Sequence, residues 1–134
     1  MALGSHSLGR DAETIGLQWL NERGFILCKR NYRIKGGEID LIMETESSES
    51  GLLDPLKILH FIEVKSSSTL DDHSLTYLLH PRKQRYLIRT ANHFITNFPH
   101  FLKYTIQFDL LFIDTSNRQI SFYEDVITVD NYGT

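Results

Sequence analysis

Apolar residues recur every three or four positions over two segments, which is the spacing of an amphipathic helix. The first segment covers roughly residues 8–23 and is followed by Gly24, a residue type that commonly ends helices. The second segment begins at Pro81, a residue type favoured in the first turn of a helix, and its apolar stripe runs up to Pro99. The sequence therefore predicts two helices, one near the start of the chain and one after residue 80.

Runs of β-branched and other apolar residues predict three strands between the helices and one or two after the second helix. The predicted strands are Phe25 to Ile34, Ile39 to Met43, Ile58 to Lys65, Tyr104 to Ile113 and Gln119 to Glu124. Gly36-Gly37 predicts a hairpin turn between the first two, because such turns need positive φ. Residues 45–55 and 66–79 are predicted as loops.

This order of elements predicts an α/β fold. The glycine pair makes the first two strands antiparallel, and the second helix allows a crossover to a parallel fourth strand. We expect a mixed sheet flanked by helices. At 134 residues, the chain is predicted to be a single domain over residues 1–134.

Composition is typical of a soluble globular protein, with 41% hydrophobic and 23% charged residues. A single cysteine, Cys28, excludes a disulfide within the chain and fits a reducing compartment. No apolar run approaches the ~18–20 residues that span a bilayer, and residues 1–7 lack the pattern of a secretory signal. We expect a cytoplasmic protein with no membrane partner.

The net charge of −3 argues against a generic polybasic nucleic-acid binder. The basic residues are nevertheless concentrated in two short segments, which could hold a phosphate backbone beside an acidic site. These residues are Lys29, Arg30, Arg33 and Lys35 in the first segment, and Arg82, Lys83, Arg85 and Arg89 in the second. The alternative is that both segments are ordinary solvated surfaces.

Charged residues interrupt two strands that otherwise look buried. Side chains alternate along a strand, so Glu63 and Lys65 share one face of the third strand, and Asp40 shares a face of the second with Glu38 and Ile42. If the two strands pair, the carboxylates of Asp40 and Glu63 converge. Two close carboxylates favour a hard divalent cation, Mg²⁺ or Mn²⁺, that offsets their repulsion. A neighbouring lysine would stabilise charge developing on a phosphate, as metal-assisted phosphodiester hydrolysis requires.

A structural interpretation of the same residues is equally open at this point. Glu-x-Lys is a common surface pair worth ~0–1 kcal/mol, and Asp40 could be an ordinary strand-end residue. Other polar residues favour structural roles more clearly. His60 faces away from Glu63, Asp109 lies in an apolar strand where it needs a hydrogen-bond or ion-pair partner, and Cys28 is predicted to pack. The histidines show no zinc-type spacing.

Two strings of the chain resemble a known family. Gly37-Glu38-Ile39-Asp40-Leu41-Ile42 followed by Phe61-Ile62-Glu63-Val64-Lys65 is similar to the YraN-like family of predicted endonucleases. That family belongs to the restriction-endonuclease-like, PD-(D/E)XK group, which includes archaeal Holliday junction resolvases. Further elements match in order: Gly9-Arg10-x-x-Glu13, Asn31-Tyr32-Arg33, Lys83-Gln84-Arg85 and Gln107-Phe108-Asp109. The resemblance runs from about residue 9 to residue 113.

The resemblance implies a restriction-endonuclease-like α-β-β-β-α-β core with a divalent metal, Mg²⁺ or Mn²⁺, in its active site. The residues that it implies for the site are Asp40 and Glu63 as metal ligands, the Val64 carbonyl as a further ligand, Lys65 as a catalytic residue and Glu13 as an accessory acid. Lys83 or Gln84 would approach the phosphate from the second helix. With Arg33, Arg82 and Arg85 of the basic segments, they are the expected nucleic-acid contacts.

The function expected from these residues is that of a metal-dependent endonuclease, which hydrolyses phosphodiester bonds at structured or branched sites. DNA is favoured over RNA as its substrate. The alternative is a non-catalytic nucleic-acid-binding module that retains a nuclease fold. A third hypothesis is an interaction domain whose charges form structural ion pairs. Symmetric cutting of two strands would suit a homodimer, although no residue identifies an interface.

Overall fold

The computed structural model describes residues 5–47, 54–68 and 80–127. Helix α1 (Ser5–Asn21) precedes three strands, β1 (Ile26–Ile34), β2 (Gly37–Ser47) and β3 (Leu56–Ser67). Helix α2 (Pro81–Asn97) and a short 3₁₀-helix (Pro99–Lys103) lead to β4 (Thr105–Asp114) and β5 (Ile120–Tyr123). Both predicted helices and all five predicted strands are confirmed; the 3₁₀-helix was not predicted.

The strands form one mixed sheet in the order β1-β2-β3-β4-β5. β3 and β4 are parallel, and all other neighbours are antiparallel. The parallel pair needs a long crossover, and α2 lies within it, as the order of elements predicted. The chain therefore has the predicted mixed sheet of an α/β protein.

A helix covers each face of the sheet, which gives two hydrophobic cores. The α1 core combines Ala12 and Leu20 of the helix with strand residues such as Ile62 and Leu111. The α2 core combines apolar residues of that helix, such as Phe94, with strand residues such as Phe61. Because β3 and β4 contribute to both cores, they are apolar on both faces. Each fully buried large side chain stabilises the folded state by about 1.5–3 kcal/mol.

The two glycines of the β1–β2 turn are needed for different reasons. Gly36 has φ +88°, a conformation that costs little only for glycine. Gly37 lies against α2, where an added Cβ would stand 2.0 Å from the Thr90 hydroxyl oxygen. The predicted hairpin turn is thus confirmed, and the second glycine lets the start of β2 approach α2 closely.

The predicted loops are shorter than expected where the strands continue to pair. Residues 45–47, predicted as loop, extend β2, and Ser47 pairs with Leu56. Ser66 and Ser67 extend β3 and pair with Ile113 and Asp114 of β4. Backbone pairing accommodates polar side chains at a sheet end, so the polar composition misled the prediction there. Asp54, Pro55 and Ser68 lie outside the strands, as predicted, and residues 48–53 and 69–79 of the two predicted loops lie outside the described residues.

A buried polar network confirms the structural roles predicted for His60 and Asp109. Nδ1 of His60 lies 2.7 Å from Oδ2 of Asp109, and its Nε2 lies 2.7 Å from the Thr45 hydroxyl oxygen. Oδ1 of Asp109 accepts hydrogen bonds from the Gln107 side chain and from the Asp125 backbone N–H. Asp109 thus joins β3, β4 and the segment after β5.

We expect Asp109→Ala to lower the free energy of unfolding by about 3 kcal/mol or more, because it leaves several buried donors without an acceptor. Urea denaturation against the wild type measures the change. The matched control is Asp54→Asn at an exposed position, which should change stability by less than about 0.5 kcal/mol. A loss below 1 kcal/mol for Asp109→Ala would contradict the structural role.

Cys28 is half-buried and packs against the α2 core. Burial, with a smaller effect from the Glu44 charge, raises the pKa of its thiol to about 11. The thiolate is the reactive form, so the thiol is poorly reactive at neutral pH. Packing is the role that its surroundings support, as predicted.

Candidate active site

Asp40 lies at an irregular point of β2. In a regular strand, residues two apart face the same side of the sheet. Ile39 nevertheless packs in the α2 core and Leu41 in the α1 core, on the opposite face. On the neighbouring strand, Asn31 has φ +52° at the position between the pairs that flank Asp40. The prediction that Ile42 shares a face with Glu38 and Asp40 is therefore wrong, because the alternation of side chains breaks between Ile39 and Leu41.

This break accompanies a direct contact between the Asp40 side chain and β3. Oδ2 of Asp40 accepts a hydrogen bond from the Val64 backbone N–H at 2.8 Å. The ladder between β2 and β3 is paired up to Leu41 and Ile62, and Asp40 and Glu63 are the next residues on the two strands. The structure thus brings the predicted acidic residues of the two strands together.

Glu63 follows the alternation predicted along β3, since Phe61 packs in the α2 core and Ile62 in the α1 core. Its side chain is only 11% exposed, and Oε1 lies 3.4 Å from Nζ of Lys65 and 3.3 Å from Nζ of Lys83. Oε2 is buried and has no hydrogen-bond partner among the described residues. An unpaired buried carboxylate oxygen is costly, so this atom has capacity for one further cation or donor.

The electrostatic environment of Asp40 disfavours its charged form. The pKa of Asp40 is raised to about 6: burial is the largest cause, the Val64 N–H lowers the pKa, and the charges of Glu63, Glu13 and Glu38 add to the rise. The acidic residues whose charges act on Asp40 thus belong to β2, β3 and α1. A cation among them would offset this repulsion and keep Asp40 ionised.

Glu13 belongs to this environment. Because Glu13 flanks the apolar stripe of its helix, its position in the sequence also fits a solvated helix edge; its side chain is only 18% exposed, which argues against that alternative. Arg30 of β1 lies 3.7 Å from Glu13, and the same guanidinium donates a hydrogen bond to the Thr14 hydroxyl at 3.0 Å. Arg30 therefore holds α1 and β1 together beside the site.

The residues predicted to contact nucleic acid fall into two groups. Lys83 reaches into the site through its contact with Glu63. Arg33 is exposed on β1 and pairs with Glu38 at 3.1 Å. Arg82 and Arg85 are exposed on α2, and Gln84 is half-buried between them. The sequence did not single out Tyr86, which lies next to Lys83 on the surface of α2. Its position one helical turn after Lys83 is the one feature of the sequence that indicates this.

The raised pKa of Asp40 predicts a pH-dependent stability. Between pH 3.8 and about 6 the folded protein keeps a proton on Asp40 that the unfolded chain releases. The free energy of unfolding therefore falls as pH rises through this window, by up to about 3 kcal/mol in total. Asp40→Asn keeps an acceptor for the Val64 N–H and removes the charge. We expect it to raise stability by up to about 3 kcal/mol at pH 8, and far less near pH 4.

Urea denaturation at both pH values, with a chelator present, measures this difference. Glu46→Gln on the same strand is the control, because Glu46 is exposed and should show the same small change at both pH values. Equal stabilisation by Asp40→Asn at pH 4 and pH 8 would contradict the raised pKa.

The part of this chain that matches a known protein family includes the site residues Asp40, Glu63, Lys65 and Lys83. The model of "Uncharacterised protein family UPF0102" matches residues 12–113, most of the chain. The chain belongs to UPF0102. A UPF0102 protein of Treponema denticola is 35% identical over 107 residues, covering 78% of each chain. One of Coxiella burnetii is 32% identical over 126 residues, covering 94% of this chain and 96% of the relative.

The family description and the names of these relatives state no activity, so the activity of UPF0102 has to be argued from the site. None of the helices in the described parts of the chain is long and apolar enough to cross a membrane.

Proposed function

We propose that this UPF0102 protein is a metal-dependent endonuclease that hydrolyses phosphodiester bonds in DNA. The observation that carries the proposal is the meeting of Asp40 and Glu63 at the end of the β2–β3 ladder, with Lys65 at 3.4 Å from Glu63. Two carboxylates and an ammonium group on adjacent strands supply the charges that metal-assisted phosphodiester hydrolysis needs.

The fold supports the same proposal at a coarser level. A helix, three antiparallel strands, a second helix and a parallel fourth strand follow one another in the order of a restriction-endonuclease-like core. The acidic residues lie on the second and third strands, as in that arrangement. Fold likeness alone does not specify a reaction, so the side-chain geometry has to carry the assignment.

Asp40, Glu63 and the Val64 carbonyl would hold the metal ion. Among the described residues, no three His, Cys, Asp or Glu side chains are grouped as a metal site. Mg²⁺ needs fewer protein ligands than that, because it keeps several waters and binds through one or two carboxylates. The buried, unpartnered Oε2 of Glu63 fits such a ligand. When bound, the ion would polarise a phosphate oxygen as a Lewis acid.

The basic side chains would act on the substrate. Lys65 lies beside Glu63 on an exposed part of β3, where its ammonium group can donate to a phosphate oxygen as charge develops. Lys83 approaches the same carboxylate from α2, so a phosphate at the site would lie between the two lysines. Glu13, which pairs with Arg30, would accept a proton or a water hydrogen bond at the edge of the site.

One observation favours the alternative, a nucleic-acid-binding module without turnover. Both ammonium groups already lie within 3.4 Å of Oε1 of Glu63, so this carboxylate is neutralised without a metal. If the lysines remain on Glu63 when DNA binds, the protein would hold a phosphate backbone and not cut it.

Cleavage assays distinguish the two functions. Duplex, single-stranded, flap and four-way-junction DNA are incubated with the protein in Mg²⁺ or Mn²⁺, with chelator and Asp40→Asn as controls. We expect metal-dependent cleavage of at least one substrate, absent from both controls. DNA binding without cleavage of any substrate would reject the nuclease and favour the binding module.

A further inference from the structure

A pocket opens at the start of α2, beside the candidate active site. Its volume is about 240 Å³, and the described residues that line it are His80, Arg82, Lys83 and Tyr86. Among the described residues, this lining combines an aromatic ring, an imidazole and two cationic side chains, and includes no carboxylate. A pocket of this composition is complementary to a flat, neutral ring system carried on an anionic chain.

Lys83 connects this pocket to the acidic residues. Its Nζ lies 3.3 Å from Oε1 of Glu63, while its side chain also forms part of the pocket wall. Tyr86 lies three residues further along α2, so both side chains project from neighbouring positions on the helix surface. A nucleotide whose phosphate approaches Glu63 and Lys65 would therefore place its base, or that of the next nucleotide, near Tyr86.

The surroundings of Tyr86 hold this residue in place and leave its ring accessible. The backbone carbonyl of Tyr86 accepts a hydrogen bond from the Thr90 hydroxyl at 2.7 Å. The guanidinium of Arg89 lies 5.7 Å from the ring centroid, and Arg89 is itself fixed by a hydrogen bond of 3.1 Å to the Lys35 carbonyl. Tyr86 remains 37% exposed, which leaves part of its side chain open to a ligand.

We infer that this pocket binds an unpaired nucleobase stacked on Tyr86, so that the substrate is DNA with a single-stranded or locally opened nucleotide beside the scissile phosphate. A base inside a duplex has both faces covered by its neighbours and cannot offer one to Tyr86. Arg82 and Lys83 contact the flanking phosphates. The inference rests on the proposed function and specifies its substrate class.

The test measures binding separately from cleavage. The full chain, in chelator, is titrated into a fluorescent single-stranded oligonucleotide and into a blunt duplex of the same sequence. We expect single strand to bind about tenfold more tightly. Tyr86→Leu keeps an apolar side chain and removes the ring; it should weaken single-strand binding about five- to hundredfold and leave duplex binding unchanged. Tyr86→Phe, which keeps the ring, should bind like the wild type.

A 2-aminopurine base in the oligonucleotide reports stacking directly. Its emission should change on binding to the wild type and to Tyr86→Phe, and not on binding to Tyr86→Leu. Circular dichroism of each variant checks that α2 remains folded.

The outcomes separate this inference from the proposed function. Equal binding of single strand and duplex, or an equal loss of both in Tyr86→Leu, overturns the base pocket while metal-dependent cleavage still stands. Normal single-strand preference that depends on Tyr86, without cleavage of any substrate, supports the pocket and overturns the nuclease. Absence of binding to either DNA overturns the base pocket, and the cleavage assay in Mg²⁺ or Mn²⁺ then decides the nuclease separately.

Discussion

We expect Glu63→Gln and Asp40→Asn each to lower the rate of DNA cleavage by about a thousandfold or more. Each substitution replaces a carboxylate by an uncharged amide of nearly the same shape, so packing is preserved and the charge is lost. A bound metal supplies several kcal/mol of transition-state stabilisation, and each 1.36 kcal/mol corresponds to a tenfold change in rate. Losing either of the two proposed carboxylate ligands should remove most of that stabilisation.

The same variants should lose binding of Mn²⁺ measured by isothermal titration. Glu63→Gln is the sharper of the two, because Oε2 of Glu63 is the buried oxygen that lacks a partner among the described residues. The control is Glu46→Gln, six residues from Asp40 on the same strand and exposed, which should bind Mn²⁺ and cleave DNA normally. Unchanged Mn²⁺ binding in both active-site variants would reject the metal site.

The proximity of Asp40 and Glu63 was predictable from the sequence, but the way it arises was not. Three apolar runs, the first two joined by Gly36-Gly37 and the last two by a longer connection, predict three strands of one sheet. The charged residues within these runs are few. The left-handed backbone at Asn31 and the break in alternation at Asp40 leave no signal in hydrophobic periodicity, because a local irregularity shifts side chains without changing their composition.

Contacts between distant elements were predicted less well than contacts within the sheet. The sequence placed Lys83 at the start of a helix, yet the distance of 3.3 Å to Glu63 depends on how α2 packs on the sheet. That packing is set by Phe94 and the rest of the α2 core, and by the close approach of Gly37 to Thr90. Glu13 was ambiguous for the same reason, since only the position of α1 decides whether it faces Asp40 or solvent.

We expect Lys65→Ala to lower the cleavage rate by about a hundred- to a thousandfold while sparing Mn²⁺ binding. Removing one donor aimed at developing charge typically has an effect of this size. Lys65 is not a proposed metal ligand and shares Oε1 of Glu63 with Lys83, so its loss leaves Glu63 paired with Lys83 and removes one cation that competes with the metal. The affinity for Mn²⁺ should therefore stay the same or rise.

Single-turnover cleavage at saturating Mn²⁺, together with isothermal titration, separates the two effects. The matched control is Lys57→Ala, an exposed lysine eight residues earlier on β3, which should leave both quantities unchanged. Full activity of Lys65→Ala would remove Lys65 from the mechanism. Loss of Mn²⁺ binding along with cleavage would assign Lys65 to the structure of the site, because a group that acts only on the phosphate has no effect before DNA is bound.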